Sequence, residues 1–506
     1  MEGNSKKKDC SRVYDVLEFG GMEVHNCSVI RAAEQALFAS GATTSGALMS
    51  AVVERLWQAV QCEPELCGWQ PQRVVVYAGR GNNAGDALGL AAHFDCPVSL
   101  RAVCEPDGFS AESREQFARL QGRDWSMEPV AAQEGVLIID GLLGSGAAGE
   151  LREPYAALVQ ELNELRAICP RSCTLSIDVP TGLNADTGEV HGAAVRADVT
   201  AVIGCVKPGM LADGAEDYVG RLLCIPLPEV ELPAGGSARV AGPEVKLWLP
   251  RRSFSCFKNR AGRVHIIAGS VGYVGAAQMC AEAAMAAGAG LVALYCHENV
   301  YPLLAARVAP EVMVVPVRSY REVPTEGAQS LVIGPGLGHP TGHDVRALQD
   351  LLRRCSVPVV LDADGLNLAA EYGWELPPQS ILTPHPGEMS RLFPAGGKLS
   401  RVECALRYVE QQPCILLLKG ARTLVTNGDE LWYNSTGGPY MANGGQGDVL
   451  AGCIGALAAQ GVIPMRAAVL GSWCCGQAAA TALMSRGYPR AIRATDVIAH
   501  LGMVLS

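Results

Sequence analysis

Acidic side chains follow short apolar runs at two points in the first half of the chain. The runs 136–140 and 174–178 end in Asp140 and Asp178, and a glycine-rich segment, 79–86, follows a third run. Glycines let a backbone approach a ligand, and the free N–H groups of a helix that begins there could bind a phosphate. If the runs are parallel strands, these residues meet at one edge of a sheet, where ligands bind.

The segment 79–86 admits two other interpretations. Gly79, Gly81 and Ala84 match a loose dinucleotide fingerprint, with Glu105 at the distance of a ribose-binding acid, which would indicate hydride transfer. The glycines could also form a purely structural turn. Neither interpretation gives a role to the adjacent Asn82 and Asn83.

A second glycine-rich segment, 442–448, ends in Asp448 and precedes an alanine-rich stretch. Successive glycine amides before a helix can form an anion hole, and an aspartate there can act as a base on a hydroxyl that attacks phosphorus. Alternatively, Asp448 only caps the helix. The chain contains no Walker-type phosphate-binding motif, which argues against a P-loop kinase.

The elements that position these residues follow from the hydrophobic pattern. Continuous apolar runs are typical of strands buried on both faces of a parallel sheet, and alanine-rich stretches between them predict helices. The alternation predicts an α/β fold. Strands are expected at 73–79, 136–140, 174–178, 199–203, 264–269, 331–334, 359–362 and 415–420, and helices at 43–61, 278–287, 345–355 and 448–460. The uncharged stretch 467–484 contains many small and polar residues, which favours a buried helix over a membrane span.

Residues 226–243 contain four prolines and several glycines without periodicity, which is typical of a linker. We place a domain boundary near residue 235, so that the predicted domains are 1–234 and 235–506.

Composition limits the function classes. The 506 residues carry a net charge of −10, which argues against nucleic-acid binding by charge. The 19 cysteines form no Cys-x-x-Cys pair, so we expect reduced thiols. Residues 1–9 are polar and precede no apolar segment typical of a secretory signal. We expect a cytoplasmic homo-oligomer that binds small molecules and neither nucleic acid nor a membrane.

Four ordered motifs in the first half resemble the NAD(P)H-hydrate epimerase domain. They are Gly-x-Gly-Asn-Asn-x-Gly-Asp from Gly79, Asp-x-Leu-x-Gly-x-Gly from Asp140, Ser-Ile-Asp-x-Pro-Thr-Gly-Leu from Ser176, and Lys-Pro-Gly from Lys207. The resemblance covers about 29–226 and implies a Rossmann-like three-layer fold that epimerises the hydrated nicotinamide ring of damaged NADH or NADPH. It also implies a potassium ion held by Asn83, Asp140 and Thr181, whose hard oxygen atoms suit such a cation.

Asp178 and Lys207 are the predicted acid/base pair of this domain, since a carboxylate beside an ammonium can move protons on a held ring. The resemblance implies a hydrate site made of Asn82, Asn83, Ala84, Gly85, Asp86, Gly144, Ser145, Gly146, Ala147, Ala148, Gly149, Glu150, Tyr155 and Asp178.

The second half resembles the ribokinase-like NAD(P)H-hydrate dehydratases over about 262–501. The shared motifs are Gly-Pro-Gly-Leu-Gly from Gly334, Asp-Ala-Asp-Gly-Leu-Asn from Asp362, Thr-Pro-His-Pro-Gly-Glu from Thr383, and Gly-Gly-Gln-Gly-Asp ending at Asp448. The resemblance implies that a nucleotide, ADP in fused two-domain members, phosphorylates the ring hydroxyl of the hydrate. Phosphate then leaves, because phosphate is a far better leaving group than hydroxide. Mg²⁺ would bridge the nucleotide phosphates.

Asp448 is the predicted base of this half. The resemblance places the hydrate on Ala276, Ala277, Gly336, Gly338, His385 and Asp448, and the nucleotide on Lys419, Gly420, Ala421, Arg422, Thr423, Gly445, Gln446 and Gly447. The chain departs from the usual pattern at Asn443 and Gln446, where the glycine loop commonly carries hydroxyl residues, and at 471–475, where a family histidine is replaced.

Two rival functions remain open at this point. One is a ribokinase-like vitamin or sugar kinase with an accessory ligand-binding domain, which would release a stable phosphorylated product. The other treats the first half as a binding or scaffold module without catalysis.

Overall fold

The computed structural model describes residues 21–63, 66, 70–121, 123–131, 133–147, 149–169, 171–340, 342–487 and 489–506. The chain divides into two compact units, Met1–Val240 and Ala241–Ser506. The boundary predicted from sequence lies a few residues before this division.

The first unit alternates strands and helices. Its elements are β1 (Met22–Glu23), α1 (Cys27–Ala39), α2 (Ser45–Val60), β2 (Arg73–Ala78), α3 (Asn82–Ala91), β3 (Val98–Ala102), α4 (Ala111–Ala118), β4 (Trp125–Ser126), β5 (Val136–Gly141), α5 (Tyr155–Ile168), β6 (Cys173–Ile177), β7 (Val199–Ile203), α6 (Glu216–Val219), β8 (Arg221–Ile225) and β9 (Arg239–Ala241). Strands β1 and β9 pair antiparallel, with Met22 opposite Val240.

The main sheet of this unit has the strand order β4-β3-β2-β5-β6-β7-β8, and neighbouring strands are parallel. Successive residues of a strand point to opposite faces. Val74 and Val76 pack into one core with residues of α2, α3 and α4, whereas Val75 and Tyr77 pack with residues of α5 on the other face. This arrangement has three layers, and it explains why the strand sequence is continuously apolar.

The second unit has the same alternation. Its elements are β10 (Arg263–Ile267), α7 (Val274–Ala286), β11 (Leu291–His297), α8 (Tyr301–Ala305), β12 (Met313–Val317), β13 (Ser330–Ile333), α9 (Gly342–Arg354), β14 (Val359–Leu361), α10 (Asp364–Tyr372), β15 (Ser380–Leu382), α11 (Pro386–Leu392), α12 (Arg401–Gln411), β16 (Ile415–Leu418), β17 (Leu424–Thr426), β18 (Leu431–Asn434), α13 (Gln446–Ala459), α14 (Pro464–Ser485) and α15 (Ala494–Val504).

The strands of the second unit lie in the order β18-β17-β16-β15-β14-β13-β10-β11-β12. Pairing is parallel from β16 to β12 and antiparallel between β16, β17 and β18. The carboxyl ends of β10, β13, β14, β15 and β16 therefore meet at one edge. Helices α7, α13, α14 and α15 contribute to one core with alternate residues of these strands.

Helix α14 is long and apolar enough to cross a membrane, but 83% of its apolar window is buried inside the fold. Its small residues, such as Ala467, Gly471 and Ala478, allow neighbouring elements to pack closely. The prediction of a buried helix at 467–484 is confirmed.

The α/β prediction and the strands and helices expected from sequence are confirmed to within a few residues. The strands expected from the apolar runs did not include β1, β3, β4, β8, β9, β11, β12, β15, β17 and β18. The expectation of reduced thiols is wrong at Cys62, which is disulfide-bonded, because disulfide formation depends on spatial proximity that spacing in the sequence does not give. Sixteen other cysteines are free thiols, while Cys10 and Cys67 lie outside the described residues.

The close crossing of α13 and α7 generates a stability prediction. A methyl group on Gly452 would lie 2.1 Å from the carbonyl oxygen of Cys280. Because backbone must move to relieve this overlap, Gly452→Ala should destabilise the second unit by about 1–3 kcal/mol and lower its melting temperature. Gly342→Ala is the matched control, since a methyl group there meets open space. Equal melting temperatures for the two variants would contradict close packing at this crossing.

Candidate functional site

The first unit brings a carboxylate and a buried ammonium together at the carboxyl edge of its sheet. Asp178 follows β6 and Lys207 follows β7, and Lys207 Nζ donates to Asp178 Oδ1. Lys207 Nζ also donates to the carbonyl oxygen of Ile203 at 3.0 Å. The Lys207 side chain is 1% exposed and that of Asp178 is 14% exposed. Burial is the largest single effect and lowers the pKa of Lys207, but Asp178 together with the Cys205 and Cys27 thiols outweighs it, so this pKa lies above its ordinary value.

The second oxygen of Asp178 points at the loop that follows β5. Asp178 has a positive φ of 64°, a conformation that Asp adopts more readily than most residues. The backbone N–H of Ser145 donates to Asp178 Oδ2 at 3.1 Å. A methyl group on Gly144 would lie 3.3 Å from both Asp178 Oδ2 and Asn83 Oδ1. The predicted residues Asn83, Gly144, Ser145 and Asp178 therefore surround one point.

Two further carboxyl groups interact electrostatically with Asp178. Asp86, on α3, is 7% exposed, and no described group donates to its Oδ1 atom. Burial raises the pKa of Asp86 well above its ordinary value, and Asp178 and Glu34 add to the rise. Burial, followed by repulsion from Asp178, likewise raises the pKa of Glu34, which lies on α1. Sequence reasoning missed Glu34, since it belongs to none of the motifs.

Asp140 and Thr181 form a second polar centre close by. Thr181 Oγ1 donates to Asp140 Oδ1 at 2.7 Å, and the Thr181 backbone N–H donates to Asp140 Oδ2 at 2.9 Å. Ser176 Oγ and the Leu142 N–H also donate to this carboxylate. Asp140 is fully buried, and burial raises its pKa against the opposing effect of these donors.

The remaining residues predicted for this half lie around the same edge. Asn82, Asn83, Ala84, Gly85 and Asp86 form the first half of α3, and Tyr155 is the first residue of α5. Residues 145–147 form a turn, while Gly149 and Glu150 are exposed. Ala148 lies outside the described residues. The proximity of Gly149, Glu150 and Tyr155 to Asp178 remains a prediction.

The second unit places Asp448 in the first turn of α13, directly after the glycine turn. Gly445 has a φ of 94°, and the helix begins at Gln446. Burial, followed by repulsion from Asp362, raises the pKa of Asp448 to about 7. Lys419 lowers this pKa, while Asp364 and Glu388 raise it further. A carboxylate with this pKa can accept a proton near neutral pH.

Lys419 lies beside the glycine turn of α13 and is held by carboxylates. Its Nζ atom is 2.8 Å from Asp362 Oδ1 and 3.6 Å from Glu388 Oε2. A methyl group on Gly447 would lie 3.4 Å from Lys419 Nζ. The ammonium is therefore next to the backbone N–H groups that begin the helix, where an anion would bind.

Asp362 and Glu388 occur in the motifs of this half but were not predicted as site residues. Asp362 ends the predicted strand 359–362, as Asp140 and Asp178 end theirs, so the same rule would have found it. Glu388 follows His385 by three residues in a capping box at the start of α11.

The other hydrate positions predicted in this half lie in the first turn of α7, in the loop after β13 and at the start of α11. A methyl group on Gly336 would lie 2.9 Å from the Ala276 side chain, and the N–H of Gly338 donates to Asp364 Oδ2 at 2.7 Å. Ala277 is buried against Gly269. The His385 side chain is 52% exposed, and its Nδ1 atom accepts from the N–H of Gly387 at 3.0 Å.

The nucleotide positions 419–423 connect β16 to β17. Thr423 Oγ1 donates to the carbonyl oxygen of Gly420 at 3.1 Å, and Arg401 Nη2 donates to that of Arg422 at 2.9 Å. Ala421 is exposed and Arg422 is buried. These contacts close a tight turn next to Lys419.

The departures in the glycine loop have a structural role. Asn443 Nδ2 and Gln446 Nε2 both donate to the carbonyl oxygen of Ile492, at 2.8 and 3.0 Å, and Gln446 Nε2 also donates to Asn443 Oδ1. The two amides therefore fix the glycine loop to the segment before α15. Residues 471–475 lie buried within α14.

Comparisons with known proteins cover both units. Residues 42–209 match the family described as YjeF-related protein N-terminus, and residues 264–501 match the family described as NAD(P)H-hydrate dehydratase. The chain is 33% identical to the bifunctional NAD(P)H-hydrate repair enzyme Nnr of Moorella thermoacetica over 86% of this chain and 87% of that protein. It is 36% identical to the enzyme of that name from Thermosynechococcus vestitus over 93% of this chain and 95% of that protein.

One solved structure among the matches is an ADP/ATP-dependent NAD(P)H-hydrate dehydratase from Bacillus subtilis, crystallised with ATP and Mg²⁺. It is 30% identical, with a TM-score of 0.46, and the match covers 52% of this chain and 96% of that chain.

The buried pair in the first unit generates a stability prediction. Asp178→Asn keeps a residue that tolerates positive φ but leaves the Lys207 ammonium without its counter-charge. We expect a loss of about 3 kcal/mol in the free energy of unfolding of the first unit, because an unpaired buried charge is costly. Adding Lys207→Met should recover most of this loss, which thermal denaturation of the single and double variants will measure. A single variant that melts like the wild type would show that the pair does not stabilise the fold.

Proposed function

The chain belongs to the family of bifunctional NAD(P)H-hydrate repair enzymes, and from that premise we propose that its two units catalyse successive steps of one repair. The first unit would interconvert the R and S hydrates of NADH and NADPH. The second would dehydrate the S hydrate with ADP, giving NADH or NADPH, AMP and phosphate. The observation that carries the proposal is Asp448, a carboxylate with a pKa of about 7 beside a helix N-terminus and the Lys419 ammonium.

In the first unit, the proposed chemistry uses Asp178 and Lys207. Inversion of the hydroxyl-bearing ring carbon requires one of its bonds to break and to re-form on the opposite face. When the carbon–nitrogen bond opens, the hydroxyl gives up its proton as it becomes a carbonyl and the ring nitrogen takes up a proton, and ring closure reverses both transfers. Asp178 Oδ2 faces the Gly144 loop, so it can accept and return the hydroxyl proton while its Oδ1 atom stays bound to Lys207. The buried Lys207 ammonium gives the Asp178 carboxylate a fixed counter-charge beside the ring.

In the second unit, the hydrate's ring hydroxyl attacks the terminal phosphorus of ADP. Its proton passes to Asp448, a bond to the transferred phosphoryl group forms, and the bridging oxygen leaves with AMP. The N–H groups of Gly445, Gln446 and Gly447, together with Lys419, stabilise the charge on the transferring group. Phosphate then leaves the ring with its bonding electrons, and loss of a ring proton restores the dihydronicotinamide.

Mg²⁺ would accompany the nucleotide. Among the described residues, no group of three or more His, Cys, Asp or Glu side chains is arranged to hold a metal ion. The phosphate oxygens of ADP would therefore supply most ligands, and the ion would neutralise part of their charge.

A potassium site at Asn83, Asp140 and Thr181 is also part of the proposal. The hydroxyl of Thr181 donates to Asp140 Oδ1, but the carbonyl oxygen of Leu143, 3.3 Å from Thr181 Oγ1, is an alternative acceptor. If the hydroxyl turns to Leu143, Asp140 Oδ1 and Thr181 Oγ1 both present lone pairs. Asn83 Oδ1, on α3, lies close to Gly144, the residue after Leu143. The side-chain oxygens of Asn83, Asp140 and Thr181 suit a monovalent cation.

The rival kinase would use the same phosphoryl transfer but keep its product phosphorylated. Incubating separated R and S hydrates with ADP and Mg²⁺ distinguishes the two functions, since repair restores NADH absorbance and releases phosphate. Recovery from the R hydrate in addition requires the epimerase.

Asp448→Asn tests the base of the second unit. We expect recovery of NADH from the S hydrate to fall at least about 100-fold, while interconversion of R and S persists. Asp429→Asn, at an exposed turn, is the matched control and should retain wild-type rates. Near-normal dehydration by Asp448→Asn would contradict its role as a base and would show that Asp448 only stabilises the start of α13.

Exchange of potassium for tetramethylammonium tests the proposed cation. At 100 times its dissociation constant, K⁺ should stabilise the first unit by about 2.7 kcal/mol, which a shift in melting temperature reports. Asp140→Asn should abolish this shift because the cation loses a charged ligand. A melting temperature that is the same in both salts would remove the ion from the proposal.

A further inference from the structure

Asp362 is a buried carboxylate that touches both the cation and the glycine turn of the second unit. It is 1% exposed and follows β14 directly. Its Oδ1 atom accepts from Thr383 Oγ1 and from Lys419 Nζ, each at 2.8 Å. Its Oδ2 atom faces the turn, since a methyl group on Gly447 would lie 3.6 Å from it.

The backbone around Asp362 leaves the carboxylate little freedom. Its N–H donates to the carbonyl oxygen of Ile333, and a methyl group on Gly334 would lie 1.8 Å from its carbonyl oxygen. The loop after β13 therefore crosses directly over the residue. A lysine has four rotatable bonds, and a fixed carboxylate at its end removes much of that freedom.

The charge of Asp362 also acts on Asp448. After burial, Asp362 is the largest cause that raises the pKa of Asp448. The other charged groups facing Asp448 are Asp364 on α10, Glu388 on α11 and Lys419 after β16, and the buried thiol of Cys280 lies on α7. Asp362 and Lys419 thus act on the proton affinity of Asp448 in opposite directions.

We propose that Asp362 is a positioning residue of the dehydration reaction, which holds the Lys419 ammonium against the α13 glycine turn from which Asp448 accepts the hydroxyl proton. This inference rests on the proposed dehydratase function. Asp362 forms no bond to substrate in this account. When the hydroxyl attacks phosphorus, the Lys419 ammonium already lies where negative charge develops on the transferring group. The hydroxyl proton moves to Asp448, whose neighbour Asp362 is also a carboxylate.

The test is the pH dependence of kcat/KM for dehydration of the S hydrate by the full-length protein. In the wild type, activity should rise with pH through about 7, as Asp448 loses its proton. Asp362→Asn removes a negative charge next to Asp448, so the rise should move to lower pH by about one unit. The plateau should fall about 100-fold because Lys419 loses its anchor.

Two further variants separate this role from a merely structural one. Lys419→Met removes the opposing positive charge, so the rise should move to higher pH. Thr383→Val disturbs the same buried pocket without changing charge, so its rise should stay at the wild-type pH. Damage to the fold alone cannot move the two charge variants in opposite directions, and the thermal melting of each preparation controls for the amount of folded second unit.

The outcomes distinguish this inference from the function on which it rests. A wild type that dehydrates, with a pH profile left unmoved by Asp362→Asn, would overturn the positioning role while preserving the dehydratase. Shifts of Asp362→Asn and Lys419→Met in the same direction would also overturn it. A wild type that restores no NADH from the S hydrate would overturn the proposed function itself.

Discussion

An ammonium ion removed from water requires a carboxylate in contact, and both units of this protein are organised around that requirement. Lys207 is almost fully enclosed and Lys419 is largely enclosed, and each meets an aspartate that directly follows a strand. Breaking such a pair leaves a buried charge without compensation. The surrounding strands and loops are therefore constrained to hold the two partners of each pair in contact.

The same constraint supplies the chemistry. A buried pair excludes water and fixes a local field, so a third group nearby has a proton affinity far from its value in water. In the first unit that group is Asp86, which shares its surroundings with Glu34 and Asp178. In the second it is Asp448, whose pKa of about 7 reflects burial and the neighbouring Asp362. Close glycine approaches let backbone N–H groups enter both sites, since a side chain at Gly144 or Gly447 would fill the space beside the charged pair.

The fused units process chemically related ligands, yet their polar centres differ in a way that matches their proposed tasks. The first centre contains the salt bridge of Asp178 and Lys207, suited to proton movement on a held ring, and a separate carboxylate–hydroxyl cluster at Asp140 and Thr181. The second has a helix N-terminus beside an ammonium, suited to a transferring phosphoryl group. In the loop that departs from the common family pattern, Asn443 and Gln446 use their amides to hold the glycine turn, so those substitutions preserve the geometry of the turn.

The sequence alone determined the α/β class, most central strands, the buried helix at 467–484 and the aspartates at strand ends, because burial on two faces and ligand binding at strand ends leave local, readable patterns. Its apolar runs did not reveal the short or peripheral strands β1, β3, β4, β8, β9, β11, β12, β15, β17 and β18, and it gave Glu34, Asp362 and Glu388 no role. Only the tertiary structure decided that Asp362 holds Lys419, that Asp140 holds Thr181, and that Cys62 is disulfide-bonded. Each of these depends on which side chains come into contact across elements that are distant in the sequence. The same contacts determine how readily a buried group binds a proton.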